Sequence, residues 1–103
     1  MSSSQPSSEV GTKLLFENDA VRVWDLRLAP GESTPVHRHE TDYFYVVIGD
    51  GKLARVDEDG TQHEAKFMQD GEVHFRQVDD NAVHAARNVG ETPWRNIVVE
   101  LKT

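Results

Sequence analysis

Short apolar runs alternate with turn signals along almost the whole chain, and this rhythm restricts the fold more than any other feature. The run Val21–Leu28 (VRVWDLRL) is rich in β-branched and aromatic residues and alternates in character, which is typical of a strand. Asp59-Gly60 is a hairpin-turn signal. Nine strands are expected, over residues 12–16, 21–28, 34–39, 42–48, 52–56, 62–67, 72–75, 83–89 and 94–101. The pattern predicts an all-β fold, an antiparallel sandwich or barrel.

The length allows one domain with one hydrophobic core, since the chain has 103 residues. We expect this domain to span residues 11–103. Residues 1–10 are polar and Ser-rich, which predicts a disordered N-terminal tail.

The charge balance limits the possible partners. The formal net charge is −7, and no basic stripe is present, so neither nucleic acid nor an anionic membrane surface is an expected partner. The sequence contains no cysteine, which excludes disulfides and thiolate ligands. Residues 1–8 lack the basic and apolar regions of a secretory signal, so we expect a cytoplasmic protein.

Two histidines stand two residues apart in a predicted strand. Side chains at positions i and i+2 of a strand point to the same face, so His37 and His39 would aim at one point. A third histidine, His84, lies in a later strand. Three imidazoles that converge inside a closed sheet predict a site for one divalent transition metal: Fe, Mn, Ni, Cu or Zn.

The spacing of these residues resembles two motifs of the cupin superfamily. Gly31, five residues and then His37-Arg-His39 match the start of the first motif, and His84 followed four residues later by Asn88 matches the end of the second. The resemblance implies a jelly-roll barrel, that is, an antiparallel double-stranded β-helix. It also implies that the three histidines are metal ligands and that the protein is a homodimer.

The sequence departs from the family pattern at two points. The usual glutamate of the first motif would fall on Tyr43 or Phe44, whereas counting back from Gly49 places Asp42 there. Asp42 is therefore either a fourth metal ligand or a turn residue. The usual Pro-x-Gly of the second motif is replaced by Asp79 to Asn81, and Asn tolerates the left-handed backbone of such a turn.

The resemblance implies a metal-dependent enzyme of dioxygenase type that acts on a small organic molecule. Three protein ligands leave metal positions open for such a reaction. Two alternatives remain: a non-catalytic module that binds a small metabolite, and an isomerase or lyase that uses the metal as a Lewis acid.

Other polar residues have a functional and a structural interpretation. Arg76 and Arg87 could bind a carboxylate or form surface ion pairs. His63 is expected in solvent beside a hairpin turn, and His74 could approach the pocket. Either Asp42 or Tyr43 faces the interior, because a shift of one residue in register exchanges the two faces of a strand.

Overall fold

The computed structural model describes residues 7–79 and 82–102, which form nine strands and no helix. The strands are β1 (Lys13–Glu17), β2 (Val21–Leu28), β3 (His37–Arg38), β4 (Tyr43–Val47), β5 (Gly51–Asp57), β6 (Lys66–Met68), β7 (Val73–Arg76), β8 (Val83–Asn88) and β9 (Trp94–Leu101). The predicted all-β class is confirmed. In the part of the chain described here, no helix is long and apolar enough to cross a membrane.

The strands form two antiparallel sheets. The larger sheet has the order β1-β2-β9-β4-β7, and the smaller sheet has the order β3-β8-β5-β6. Neighbours in these sheets are mostly distant in sequence, as β2 pairs with β9 over eight residue pairs. Long-range pairing of this kind brings residues from the two ends of the chain into one core.

Alternation along β9 shows which side of the larger sheet is the interior. Trp94, Asn96, Val98 and Glu100 are buried, and the residues between them are only partly buried. The register places Tyr43 opposite Glu100, so β4 also directs Tyr43 inward. Of the two registers open from sequence, the structure therefore has Tyr43, not Asp42, on the inner face.

The apolar core consists of two clusters. One, called here the tryptophan cluster, comprises Leu26, Leu28, Val47, Met68 and Trp94. The other comprises Val10, Trp24, Tyr43 and Val98. The tryptophan cluster is tightly packed at Gly51, because a Cβ at this position would lie 2.8 Å from Cε3 of Trp94.

Several predicted boundaries differ from the structure. The third strand was expected over residues 34–39 but covers only His37–Arg38, and before it the Thr34 hydroxyl accepts from Ala86 while the Pro35 carbonyl contacts His37. The sixth strand was expected over residues 62–67 but covers Lys66–Met68. Part of the expected disordered tail is ordered: Ser7 forms a parallel bridge with His37, and Val10 is buried. Residues 1–6 lie outside the described residues, as does Asn81.

Candidate metal centre

Backbone pairing between β3 and β8 brings the three histidines together. His37 lies directly opposite His84 in the antiparallel register. The N–H of His39 donates to the carbonyl of Ala82, so the same alignment continues beyond β3. Gly31 starts this segment with a φ of 83°, a left-handed conformation that favours glycine. The motif glycine thus sets the turn that leads into the histidines.

The imidazole rings converge through their Nε2 atoms. Nε2 of His39 lies 3.1 Å from Nε2 of His37 and 3.1 Å from Nε2 of His84. One ligand atom from each of the three residues lies within 4.8 Å of the others. Separations near 3 Å are compatible with nitrogen ligands about 2.1 Å from one shared metal ion. We call these three residues the histidine cluster.

Burial favours the uncharged form of His37 and His39. Only 3% of His37 and 4% of His39 is exposed. Burial lowers the pKa of His39 to about 2, and the neighbouring His37 and His84 lower it further. Burial also lowers the pKa of His37, against the opposing effects of Pro35 and Glu100. Neutral imidazole is the form that binds a transition metal.

A backbone carbonyl orients His37. Nδ1 of His37 lies 3.0 Å from the carbonyl oxygen of Pro35, and a carbonyl can only accept. Nδ1 therefore carries the proton and donates a hydrogen bond to the Pro35 carbonyl. The lone pair of the ring is then on Nε2, which faces the cluster. Thr34 Oγ1, which accepts from the N–H of Ala86, lies 3.4 Å from the same Nδ1.

Tyr43 stacks against the second ring of the cluster. The ring centroids of His39 and Tyr43 are 3.8 Å apart and nearly parallel, at 11°. Nδ1 of His39 is buried and has no hydrogen-bond partner among the described residues. The His39 ring is thus held by stacking.

Asp42 does not join this cluster. Its Oδ1 accepts a hydrogen bond from the N–H of Val78 at 2.9 Å, and its carbonyl accepts from Leu101. The group of side chains placed to hold a metal comprises the three histidines without Asp42. Asp42 lies in the segment just before β4, whose inner face begins at Tyr43.

The cluster opens into a cavity of about 510 Å³ between the two sheets. His39 and His84 line it, together with apolar and aromatic side chains that include Tyr45, Leu53 and Val98. A small organic molecule fits in a space of this size. The donor set and the adjacent space suit a metal ion with coordination positions open toward the cavity.

The other polar residues singled out from sequence take separate positions. His63 pairs with Asp57 at 2.8 Å and lines the cavity. His74 stacks on Tyr45 and contacts Glu72. Arg76 lines the cavity, whereas Arg87 is exposed on β8 outside it.

Glu100 is a residue near the site that sequence reasoning missed. Its carboxylate is buried and accepts hydrogen bonds from Trp24 Nε1 and Arg22 Nε, each at 2.7 Å. Its negative charge acts to raise the pKa of His37, against burial. The inward alternation of β9, which ends on Glu100, was the available signal.

Comparison with known protein families identifies the family and the fold. Residues 24–100 match the model of the Cupin domain family, Cupin_2. This match covers most of the chain, so the protein belongs to the cupin family. The fold is accordingly the cupin double-stranded β-helix that the sequence motifs indicated.

Individual relatives and solved structures agree with this assignment. The beta-alanine degradation protein BauB of Pseudomonas aeruginosa is 35% identical over 72 residues, which are 68% of this chain and 74% of BauB. A cupin domain from Bordetella pertussis superposes with a TM-score of 0.77 at 24% identity, over 98% of this chain and all of the other. A cupin sugar phosphate isomerase from Silicibacter pomeroyi gives a TM-score of 0.57 at 28% identity, over 82% of this chain and 52% of that one.

Proposed function

We propose that this cupin is a metal-dependent enzyme of dioxygenase type that acts on a small organic molecule bound in the cavity. The observation that carries the proposal is the convergence of three imidazoles, of which His37 and His39 are buried and His39 and His84 line the cavity. A set of three nitrogen ligands without a carboxylate leaves several metal positions open to substrate and dioxygen. The name of BauB, which refers to degradation of a small molecule, is consistent with such a role.

The protein supplies orientation and a dry environment. His37, His39 and His84 would hold the metal, and the Pro35 carbonyl fixes the ring of His37. Tyr43 supports the ring of His39 by stacking. Apolar residues such as Leu26, Leu53 and Val98 line the space beside the cluster, which limits water around the reacting groups. When bound, the metal would supply Lewis acidity and redox chemistry.

An isomerase or lyase is the second candidate, and one observation favours it. His63 lines the cavity and is paired with Asp57 at 2.8 Å. A histidine oriented by a carboxylate is a common general base. The sugar phosphate isomerase among the similar structures is consistent with this chemistry.

Oxygen uptake separates the candidates. The protein would be loaded with each candidate metal and tested on thiols, diketones and small amino and hydroxy acids, with an oxygen electrode and mass spectrometry of products. Substrate-dependent oxygen consumption that His39→Ala abolishes and His63→Gln retains would support the dioxygenase. Product formation without oxygen consumption that requires His63 would favour the isomerase or lyase. Saturable binding without any product would favour a non-catalytic module.

We also propose a homodimer that forms through the outer face of the larger sheet. Phe44 pairs with Phe75, and Val46 with Val73, on the face opposite Tyr45 and His74. Val73 is 61% exposed and Phe75 is 52% exposed. Exposed apolar residues on one sheet face are typical of an interaction surface.

Analytical ultracentrifugation tests this dimer with a matched pair of variants. Phe75→Lys should produce monomers if the outer face is the interface. Phe67→Lys is the control, because Phe67 is similarly exposed but lies in the smaller sheet. A wild-type monomer, or a dimer that only Phe67→Lys disrupts, would contradict the proposal.

A further inference from the structure

The arginines of the structure fall into two groups according to their partners. Arg22, Arg27, Arg55 and Arg95 each form an ion pair with a carboxylate. Within residues 7–79 and 82–102, Arg38, Arg76 and Arg87 have no such partner. Of these three, Arg76 alone lines the cavity. A cationic side chain that lines a cavity and has no acidic partner can bind an anionic ligand.

The register places Arg76 on the same wall as the histidine cluster. Arg76 lies opposite Tyr43 across the β4–β7 pairing, and Tyr43 stacks on His39. Burial raises the pKa of Tyr43 to about 12, and the positive charge of Arg76 acts in the opposite direction. The backbone pairing puts both residues on the inner face of the larger sheet, along a wall that runs from the histidines through Tyr43 to Arg76.

The hydrogen bonding of Arg76 leaves most of its donors available. Nη1 donates to the carbonyl of the neighbouring Phe75 at 2.9 Å. A guanidinium has five N–H donors in a planar fork, stays charged at all relevant pH values, and binds a carboxylate through two parallel bonds. Arg76 is exposed as well as cavity-lining, which places it at the mouth.

We propose that Arg76 binds the carboxylate of the substrate at the cavity mouth, so that the substrate is a small carboxylic acid. Its opposite end would lie against the histidine cluster, and its body would contact apolar wall residues such as Leu53 and Val98. This inference rests on the proposed function, because it takes the cavity beside the histidines as the substrate site. It goes beyond that function by naming the chemical class of the substrate.

The other charged residues at the cavity suit this role less well. Arg55 is held by Asp57, with Nε 3.4 Å from Oδ1. Lys66 also lines the cavity, but an ammonium group lacks the planar fork that matches a carboxylate. Glu64 and Asp79 line the cavity as well. The cavity mouth as a whole therefore does not attract anions, and only the positions next to its cationic side chains do.

Calorimetric titration with matched probes tests the proposal. The probes are straight-chain carboxylates from propanoate to hexanoate, the primary amide of each, and butyl phosphate, all at one ionic strength. Each is titrated into metal-loaded and metal-free protein. The variants are Arg76→Gln, Arg76→Lys and Arg87→Gln; the last makes the same charge change outside the cavity.

The wild type should bind at least one carboxylate about tenfold more tightly than its amide, the effect of a charge-assisted hydrogen bond. Arg76→Gln should remove this preference and leave amide binding unchanged, Arg76→Lys should keep part of it, and Arg87→Gln should keep all of it. The proposal is overturned by a wild type without carboxylate preference, by Arg76→Gln that weakens acid and amide equally, or by tighter binding of butyl phosphate.

The metal-free titrations separate this proposal from the proposed function. A carboxylate can bind a metal directly, whereas binding to metal-free protein depends on the side chains alone. If the protein takes up no metal but retains an Arg76-dependent carboxylate preference, the proposed function fails and the assignment of Arg76 stands. If metal binds normally and the preference does not depend on Arg76, only the assignment of Arg76 fails.

Discussion

Strand β8 carries two polar residues, His84 and Asn88, whose surroundings differ in one decisive respect. Asn88 is fully buried beside the tryptophan cluster, and every polar atom of its amide is used. Its Nδ2 donates to the carbonyls of Leu28 and Thr92, and its Oδ1 accepts from the N–H of Gly90. This side chain joins three backbone segments, so it stabilises the fold.

The histidine cluster has the opposite arrangement. Nε2 of His39 lies 3.1 Å from Nε2 of both His37 and His84, and the buried Nδ1 of His39 has no hydrogen-bond partner among the described residues. Buried polar groups without partners reduce stability. A buried polar residue with complete hydrogen bonding thus indicates structure, and converging lone pairs indicate a bound cation.

The largest expected effect is the loss of stability on substitution of Asn88, the residue beside the tryptophan cluster. Asn88→Ala removes three hydrogen bonds to backbone groups, one buried and two partly buried, and the loss of each costs about 1 kcal/mol. We expect the free energy of unfolding to fall by about 3 kcal/mol in urea denaturation. The control is Asn18→Ala, which removes two exposed hydrogen bonds and should cost about 1 kcal/mol or less. If Asn88→Ala and Asn18→Ala lower the free energy of unfolding equally, Asn88 has no special structural role.

The second prediction concerns the pH dependence of the metal-free protein. Burial lowers the pKa of His37 and of His39 below the ordinary value of 6.5. Below pH 6.5 the unfolded chain binds protons that the folded cluster does not, so stability falls as the pH drops. Each such group contributes at most about 1.4 kcal/mol per pH unit below pH 6.5, so we expect the two groups together to lose at most about 3 kcal/mol between pH 7.5 and 5.5.

Denaturation of metal-free protein at several pH values measures this loss. His39→Phe keeps a ring that can stack on Tyr43 and removes one titrating group. Its loss over the same interval should be about half that of the wild type. A wild-type stability that is constant from pH 7.5 to 5.5 would mean that the cluster binds protons in the folded state.

The third prediction tests how tightly the tryptophan cluster is packed. Gly51→Ala adds a Cβ that would lie 2.8 Å from Cε3 of the fully buried Trp94. Overpacking of this kind costs about 1 to 3 kcal/mol, and thermal unfolding of the variant measures it. Metal uptake should not change, because no residue of the histidine cluster contacts this position. An unchanged melting temperature would show that Trp94 can move.

The smallest expected effect is at Asp42. Asp42→Asn keeps an oxygen that can accept from the N–H of Val78, so we expect a change in stability below about 0.5 kcal/mol and unchanged metal content by elemental analysis. A large drop in metal content would restore Asp42 as a ligand.

The sequence predicted the parts of the fold and site that depend on local pattern. Strand and turn signals identified the nine strands, because side-chain alternation follows directly from strand geometry. The two-residue spacing of His37 and His39 predicted that they share a face. The addition of His84 depended on the expectation of a closed sheet and on the resemblance to cupins, since its register opposite His37 depends on long-range pairing.

Other features could not be read from the sequence because they depend on register and tertiary contacts. Whether Asp42 or Tyr43 faces inward is a choice between two registers that differ by one residue. The ordering of Ser7 and Val10 depends on contacts with β3 and the core. The buried carboxylate of Glu100 required knowledge that Arg22 and Trp24 lie beside it.

The most direct test of the central claim is the metal content of the purified protein before and after reconstitution, for the wild type and for alanine variants of His37, His39 and His84. Three converging imidazoles predict one metal ion per chain in the wild type and its loss in each variant, while His63→Gln retains it. No metal in the wild type after reconstitution, or metal that all three variants retain, would contradict the assignment of the histidine cluster as a metal centre.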